Sequence, residues 1–164
     1  MELTREALAA ASQRLLAMVD TVRSILQRKG TVVWTVAPEA TVYEAIARMA
    51  EKGVGALAVV ADEQLLGMIS ERDYARKVIL KGKSSRETRV RDIMSAPAIT
   101  VTPEHTIEEC LEIVTQNRIR HLPVLEEGRL VGIATIGDLV GALISAQTDT
   151  IHHLRNYITG KYPG

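Results

Sequence analysis

The sequence predicts a mixed α/β fold of the α+β type, made of two copies of one strand–helix–strand–strand–helix unit. Three observations predict it. A shift of 65 positions lays residues 35–74 over residues 100–139 without a gap, and 11 of the 40 pairs are identical. The identities run through both copies: Thr35/Thr100, Val36/Val101, Pro38/Pro103, Glu39/Glu104, Thr41/Thr106, Glu44/Glu109, Leu57/Leu122, Val59/Val124, Leu65/Leu130, Gly67/Gly132 and Asp73/Asp138. A fixed period over such a stretch marks a duplicated supersecondary unit. Within each copy the apolar spacing changes from helical to strand-like at matching places. Finally, 46% of the 164 residues are apolar but only 3% aromatic, with no Phe, so the shared core has to be aliphatic.

The elements follow in order. Thr35-Val36 and Thr100-Val101 open each copy as short strands, which Pro38 and Pro103 stop. Thr41 and Thr106 are suited to cap the helices behind them. Val42, Ile46 and Met49, like Ile107, Leu111 and Val114, are spaced at i, i+4, i+7 on one helical face. Leu57-Ala58-Val59-Val60 and Leu122-Pro123-Val124-Leu125 read as buried strands. Polar turns at 61–64 and 126–129 return the chain through Leu65–Ile69 and Leu130–Ala134. A closing helix starts at Ser70 or Thr135. Outside the repeats, Leu8, Ala11, Leu15, Met18, Val22 and Ile25 form one apolar stripe that predicts an N-terminal helix, ended by Gly30. The stripe suits packing on its own domain or pairing with a second copy. Leu143, Ile144, Ile151, Leu154 and Ile158 predict a second helix, or a helix with a break, over 139–158. The expected organisation is an N-terminal helix at 1–30, a first repeat at 22–82, a linker at 83–89, a second repeat at 90–145 and a helical tail at 146–164.

Composition excludes several functions. Twenty Lys and Arg balance twenty Asp and Glu, so no uniformly basic surface invites nucleic acid. Cys110 is alone, which removes an intrachain disulfide and a Cys-based zinc site. The first fourteen residues carry Glu2, Arg5, Glu6 and Arg14, too charged for a secretory signal. The longest apolar run, Val54–Ala61, is far below the roughly 20 residues of a membrane span. A cytoplasmic protein with no membrane contact is the expectation.

These residues resemble a known family. The doubled T-V-x-P-E-x-T-V/I, the hairpin with a central glycine and the S/T-x-x-D that follows look like tandem CBS domains, a pair of which forms a pseudo-two-fold Bateman module. Val90-Arg91-Asp92-Ile93-Met94 is similar to the family's V-x-D-I-M start of a repeat, and Val22-Arg23-Ser24-Ile25-Leu26 to the same start of the first. Glu71–Lys77 and Asn117–Val124 look like small stand-alone CBS-pair proteins of bacteria and plant organelles. The resemblance implies a regulatory module, not an enzyme. It implies adenosine-containing ligands (AMP, ADP, ATP, NAD(H) or S-adenosylmethionine) bound between the repeats, a homodimer, and a regulated protein that the sequence does not identify. A protein-interaction module acting on a redox partner such as thioredoxin, without obligatory nucleotide, is the competing reading.

The resemblance places the ribose on Asp73 and Asp138. S/T-x-x-D at a helix start is also a plain capping box. Functionally, a carboxylate there can accept both ribose hydroxyls, and the hydroxyls of Ser70 and Thr135 lie near a phosphate. The candidate ligand set is Thr35, Val36, Gly55, Ala56, Leu57, Ser70, Arg72, Asp73, Thr100, Val101, Arg120, His121, Leu122, Pro123, Thr135, Gly137 and Asp138. Where the first copy has Gly53-Val54-Gly55-Ala56, the second has Arg118-Ile119-Arg120-His121. Phosphate charge is therefore expected near Arg118–His121, with Arg72 assisting, against the competing reading of a solvated helix end. With so few rings, the adenine walls should be aliphatic: Val36, Leu57 and Met68, and Val101, Leu122 and Ile133, although core packing competes for each. Arg76 and Lys77 are expected on the outer rim.

Other motifs carry less. Gly82-Lys83-Ser84 ends like a phosphate-binding loop, but position 77 is Lys where that motif needs Gly. His152 and His153 are adjacent and diverge on a helix, so no metal site is expected. Cys110 takes the place of Ala45 in its repeat and reads as a buried thiol.

Overall fold

The computed structural model describes residues 4–10 and 21–158. The chain divides into two compact units: Met1–Gly30 with Pro103–Arg120 and Ala134–Gly164, and Thr31–Thr102 with His121–Ile133. The division cuts across the repeats, because the second unit holds all of the first repeat's sheet together with most of the second repeat's hairpin.

In the second unit, β1 (Thr35–Val36) pairs in parallel with β2 (Ala56–Ala61), which pairs antiparallel with β3 (Gln64–Ser70), in the order β1-β2-β3. Between β1 and β2 lies α2 (Val42–Lys52); the first unit's α1 (Val22–Lys29) precedes them both. Thr41 caps α2 reciprocally: its hydroxyl accepts from the Glu44 amide at 3.1 Å, and the Glu44 carboxylate accepts from the Thr41 amide at 2.9 Å. Gly53, at φ 65°, ends the helix in the left-handed conformation that glycine tolerates best. The β2–β3 turn places Asp62 and Glu63 at φ 50° and 61°, the two positive angles of a type I′ hairpin. After β3 come α3 (Glu71–Lys77), a 3₁₀ turn (Ile79–Lys81) and α4 (Val90–Ile93).

The core of this unit is Val42, Ala45, Met49, Leu57, Val59, Ile69, Val78, Val90 and Ile93, all aliphatic or methionine, with Trp34 and Tyr74 at its margin. Each fully buried large side chain contributes roughly 1.5–3 kcal/mol. The segment at 83–89 does more than connect. The carbonyls of Thr88 and Ser85 accept from the Val42 and Tyr43 amides, each at 2.9 Å, and so satisfy donors in the first turn of α2 that have no partner within the helix.

The second repeat's hairpin is β4 (His121–Glu126) and β5 (Arg129–Thr135). Its opening strand, expected at Thr100-Val101, is reduced to one parallel bridge between Val101 and Val124. The cause is Pro123. In the first repeat the Ala58 amide donates to the Trp34 carbonyl at 3.2 Å. Pro123 occupies the matching place and has no amide hydrogen to give.

In the first unit α1 is joined by α5 (Ile107–Asn117) and α6 (Ile136–Ile158). Val22, Ile25 and Leu26 are buried from α1, Ile107, Cys110 and Val114 from α5, and Leu139 from α6. The amides of Val22 and Arg23 donate to the carbonyls of His105 and Pro103 at 2.9 and 2.8 Å. One expectation changes here. The stripe from Leu8 to Ile25 does not lie on one continuous helix: residues 5–10 are helical, but Thr21 is extended (φ −121°, ψ 158°), bridges Thr106 and opens α1 afresh. Ala11, Leu15 and Met18 lie outside the described residues. At the other end the helix expected over 139–158 forms without a break, as part of α6, which runs 23 residues from the second repeat's closing turn. Among the described residues no helix is long and apolar enough to cross a membrane.

Candidate functional site

Both S/T-x-x-D motifs fold as capping boxes, each within its own unit. At the first, Asp73 Oδ2 accepts from the Ser70 amide at 2.9 Å and the Ser70 hydroxyl at 3.1 Å, while that hydroxyl accepts from the Asp73 amide at 3.2 Å. Asp73 Oδ1 faces Lys77 Nζ at 3.1 Å, four residues on, and Lys77 also donates to the Ile93 carbonyl at 2.8 Å. Lys77 is thus bound beside the carboxylate, with its side chain 44% exposed. The Glu71 amide donates to the Gly55 carbonyl at 3.0 Å, and Ala56 pairs with Ser70 across β2–β3. These bonds bring Gly55, Ala56, Ser70 and Asp73 together. A Cβ on Gly55 would stand 3.8 Å from both the Glu71 carboxylate and the His121 ring, so His121 joins this cluster. Thr35 and Val36 lie one strand away, opposite Ala58 and Val59.

At the second motif, Asp138 Oδ2 accepts from the Thr135 amide at 2.9 Å, and the Thr135 hydroxyl accepts from the Asp138 amide at 3.1 Å. The Ile136 amide donates to the Arg120 carbonyl at 2.9 Å, as Glu71 does to Gly55. Gly137 is exposed on the first turn of α6. The cation differs. Lys29, at the end of α1, places Nζ 2.7 Å from Asp138 Oδ2. Burial raises the Asp138 pKa, but the bonds from Lys29 and Thr135 outweigh it, and the carboxyl titrates below its ordinary value.

The expected base walls divide by burial. Leu57 and Leu122 are 0% exposed and Val101 is 1% exposed. With Ala56 and Pro123 they are core, whose side chains present no surface to a ligand. Val36, Met68 and Ile133, and also Thr35, Thr100 and Arg72, remain half-buried. Arg118 and Arg120 are exposed at the end of α5, and Arg118 itself adopts φ 52° where the first repeat has Gly53. Arg120 belongs to the first unit and His121 to the second.

A separate open groove of about 590 Å³ runs between β1 and α2, lined by Thr35, Val36, Ala37, Tyr43, Glu44 and Arg48 among others. It shares only Thr35 and Val36 with the candidate set. Cys110 is fully buried, and desolvation, helped by the Glu109 charge, pushes its thiol up to about 11. Among the described residues no three His, Cys, Asp or Glu side chains are grouped to hold a metal.

Three contacts lay outside the sequence reading. Lys77 was within reach of it, because i, i+4 spacing from Asp73 is a helical ion-pair signal. Glu71 and His121, which both border Gly55, and Lys29 on Asp138 bring together residues 50 and 109 positions apart, which no local pattern announces.

The comparisons with known proteins agree with this architecture. The structure of a signal-transduction protein with CBS domains from Burkholderia ambifaria is 48% identical, covers 77% of this chain and 96% of its own, and superimposes with a TM-score of 0.75. The mitochondrial CBS domain-containing protein CBSX3 of Arabidopsis thaliana is 41% identical over 138 residues, 81% of this chain; the match spans 66% of that relative's length. A structure of CBSX2 in complex with AMP is 25% identical, covers 78% of this chain and 98% of its own, and has a TM-score of 0.63. A hexameric CBS-CP12 protein from bloom-forming cyanobacteria is 31% identical over 75% of this chain, with a TM-score of 0.68. The CBS domain profile matches residues 22–79 and 90–145, the two repeats found by the 65-residue shift. With a doubled unit, a doubled capping box and that match in place, the chain belongs to the CBS domain family.

Proposed function

We propose that this chain is a non-catalytic regulatory module that binds an adenine nucleotide at its two S/T-x-x-D helix starts and passes its occupancy to a partner protein. The observation that carries this reading is the duplicated carboxylate. Asp73 and Asp138 are each held by cap bonds through Oδ2, with side chains 14% and 24% exposed. A carboxylate has room for about four hydrogen bonds, so Asp138, with bonds from the Thr135 amide and Lys29, keeps room for a ribose diol, whereas at Asp73 the Ser70 amide, the Ser70 hydroxyl and Lys77 leave room for one hydroxyl. Ser70 and Thr135 stand beside them. Arg72, Arg120 and His121 supply groups for phosphate, and Thr35, Val36, Gly55, Thr100 and Gly137 complete the set. The AMP complex of CBSX2 supports AMP as the first ligand to test; NAD(H) is the second.

The mechanism is linkage. A ligand that binds one arrangement of the module better than another shifts the balance toward it. At free ligand about 100 times Kd the gain is roughly 2.7 kcal/mol. Mass spectrometry of the supernatant from denatured protein, followed by thermal shifts with AMP, ADP, ATP, NAD, NADH and S-adenosylmethionine, tests this. The expected result is a shift that Asp73→Asn with Asp138→Asn abolishes. No shift with any ligand refutes the reading.

Self-association as a homodimer belongs to the same reading. On α6, Ile144, Ile151 and Ile158 take one heptad position and Val140, Gln147 and Leu154 the other, and all six are exposed. The β-branched first position and Leu154 at the second suit two parallel helices, with Gln147 a polar place in the seam. Ile151→Glu should reduce the mass measured by light scattering to one chain. A hexamer, as in the CBS-CP12 relative, would replace the dimer. Regulation of a redox partner would have to run through surface contact, since the Cys110 thiol is buried and protonated. A cytoplasmic setting is part of the proposal, and cell fractionation tests it against the organelle of CBSX3.

A further inference from the structure

One stretch of the first repeat carries a charge that the neutral chain as a whole does not. Residues 76–86 hold Arg76, Lys77, Lys81, Lys83 and Arg86, and no Asp or Glu. Lys77 is bound to Asp73 and to the Ile93 carbonyl, and Arg86 lies over the Tyr43 ring at 3.8 Å. Arg76, Lys81 and Lys83 are exposed, and among the described residues no carboxylate pairs with them. Between them in the chain stand Ile79 and Leu80, 57% and 77% exposed. The backbone fixes that pair in place. Val78 is fully buried, and its carbonyl accepts from the Lys81 amide at 3.2 Å and the Lys83 amide at 2.9 Å. Gly82, at φ 66°, closes the 3₁₀ turn. The turn is thus a knob pinned at its base, with an aliphatic tip and cations on either side. Extended past residue 74, the 65-residue shift finds no such charge in the second repeat: Gly141, Ala146 and Thr148 stand where the first has Arg76, Lys81 and Lys83.

Exposed aliphatic residues scattered singly are ordinary, but an adjacent pair flanked by unpaired cations is not. The charges indicate what covers the pair. They repel a second copy of the same patch and match a surface of negative charge. An acidic protein would need a cavity shaped to take the tip. A bilayer accepts a protruding apolar tip anywhere on its surface, and Lys and Arg keep their heads at the phosphate level while their stems lie deeper. A pinned turn also has little order to gain on binding, so little entropy is lost. We propose that Arg76, Ile79, Leu80, Lys81 and Lys83 form a docking site for an anionic lipid surface. Ile79 and Leu80 enter the interface, and the three cations meet headgroup phosphates. This replaces the expectation of no membrane contact with a peripheral, reversible one, and it stands apart from the nucleotide reading.

Co-sedimentation of the full chain with phosphatidylcholine vesicles, with or without one third phosphatidylglycerol, tests the proposal. At about 0.1 M salt the parent should bind the anionic vesicles about tenfold or more tighter than the neutral ones, and binding should fall steeply toward about 1 M salt. Lys81→Gln and Lys83→Gln should each lose about fivefold. Ile79→Ser combined with Leu80→Ser should lose about tenfold or more. These changes touch exposed side chains only, so the thermal unfolding midpoint should stay that of the parent. Leu80→Cys carrying an environment-sensitive dye should shift its emission to the blue on anionic vesicles alone, with the buried Cys110 left unlabelled in the folded chain. Equal binding to neutral and anionic vesicles, or a parent that stays in the supernatant with both, overturns the proposal. So does undiminished binding of the Ile79→Ser, Leu80→Ser variant, since charge alone then holds the surface. Binding to a duplex oligonucleotide in place of the vesicles assigns the cations to nucleic acid and overturns it as well.

Discussion

The first and second repeats began as one sequence pattern and now solve the same local problems with different means. At the opening strand, the first repeat makes a two-pair parallel ladder, while Pro123 restricts the second to a single bridge. At the end of the first helix, Gly53 takes the left-handed turn in one and Arg118 takes it in the other, at φ 65° and 52°. At the closing helix, α3 stops after 7 residues and α6 runs for 23. At the carboxylate, the cation is local in one and distant in the other. Duplication keeps what the fold needs: the caps, the hairpin and the buried faces. It frees whatever each copy meets in its own surroundings, and those positions make the two candidate sites unequal.

The comparison can be broken most severely at Gly67, a glycine that both copies keep. In the first repeat a Cβ there would lie 2.5 Å from the Ser95 carbonyl, a backbone atom held by the Met68–Ser95 bridge. Gly67→Val should destabilise by about 2–4 kcal/mol in urea unfolding. A loss below 1 kcal/mol would mean that the Ser95 segment moves aside freely.

The two first-helix caps give a smaller and more discriminating effect. Thr41→Ala removes the hydroxyl that accepts from the Glu44 amide but keeps the backbone amide that donates to the Glu44 carboxylate, and should cost about 1 kcal/mol or less. Thr106→Ala removes a hydroxyl that accepts from the Glu109 amide and donates to the Glu109 carboxylate, and should cost about 1–2 kcal/mol. Equal losses would show that the bond from the Thr106 hydroxyl to the Glu109 carboxylate contributes nothing.

Arg118→Gly should stabilise by about 0.5–1 kcal/mol, because relief of a left-handed side-chain conformation exceeds the added chain entropy. The same variant should leave AMP affinity intact if Arg118 serves the turn and not the phosphate.

The finest comparison is in pH. The Asp138 pKa is lowered in the fold, so its contribution is complete above the ordinary carboxylate value near about 4 and is lost as pH falls through the folded value. The stability difference between parent and Lys29→Gln should hold steady from about pH 5 to 7 and close toward about pH 2. A difference that persists unchanged at about pH 2 would assign the effect of Lys29 to packing.

Much of this was legible in the residues. The period of 65 identified the duplication, and the shifts between spacings of 3.6 and 2 placed helix and hairpin in each copy. Thr41, Thr106, Ser70 and Thr135 marked helix starts that the structure uses as such. The scarcity of rings foretold the aliphatic core, and Cys110 in place of Ala45 foretold the buried thiol. The N-terminal stripe misled because apolar spacing ignores the backbone: Thr21, just before Val22 of the stripe, is extended and bridges Thr106. The burial of Leu57, Val101 and Leu122 was not legible, because a strand residue buried on its face looks the same in sequence whether it meets a ligand or the core.

The sequence by itself determined the repeat, the local elements and the two carboxylates at their helix starts, because each depends on neighbours within a few turns of chain. Only the tertiary structure decided which cation each carboxylate receives, which apolar side chains stay at the surface, and how the segment at 83–89 closes the first turn of α2. Those outcomes depend on contacts between residues up to 109 positions apart. Burial and charge pairing act through space, and local spacing carries no record of them.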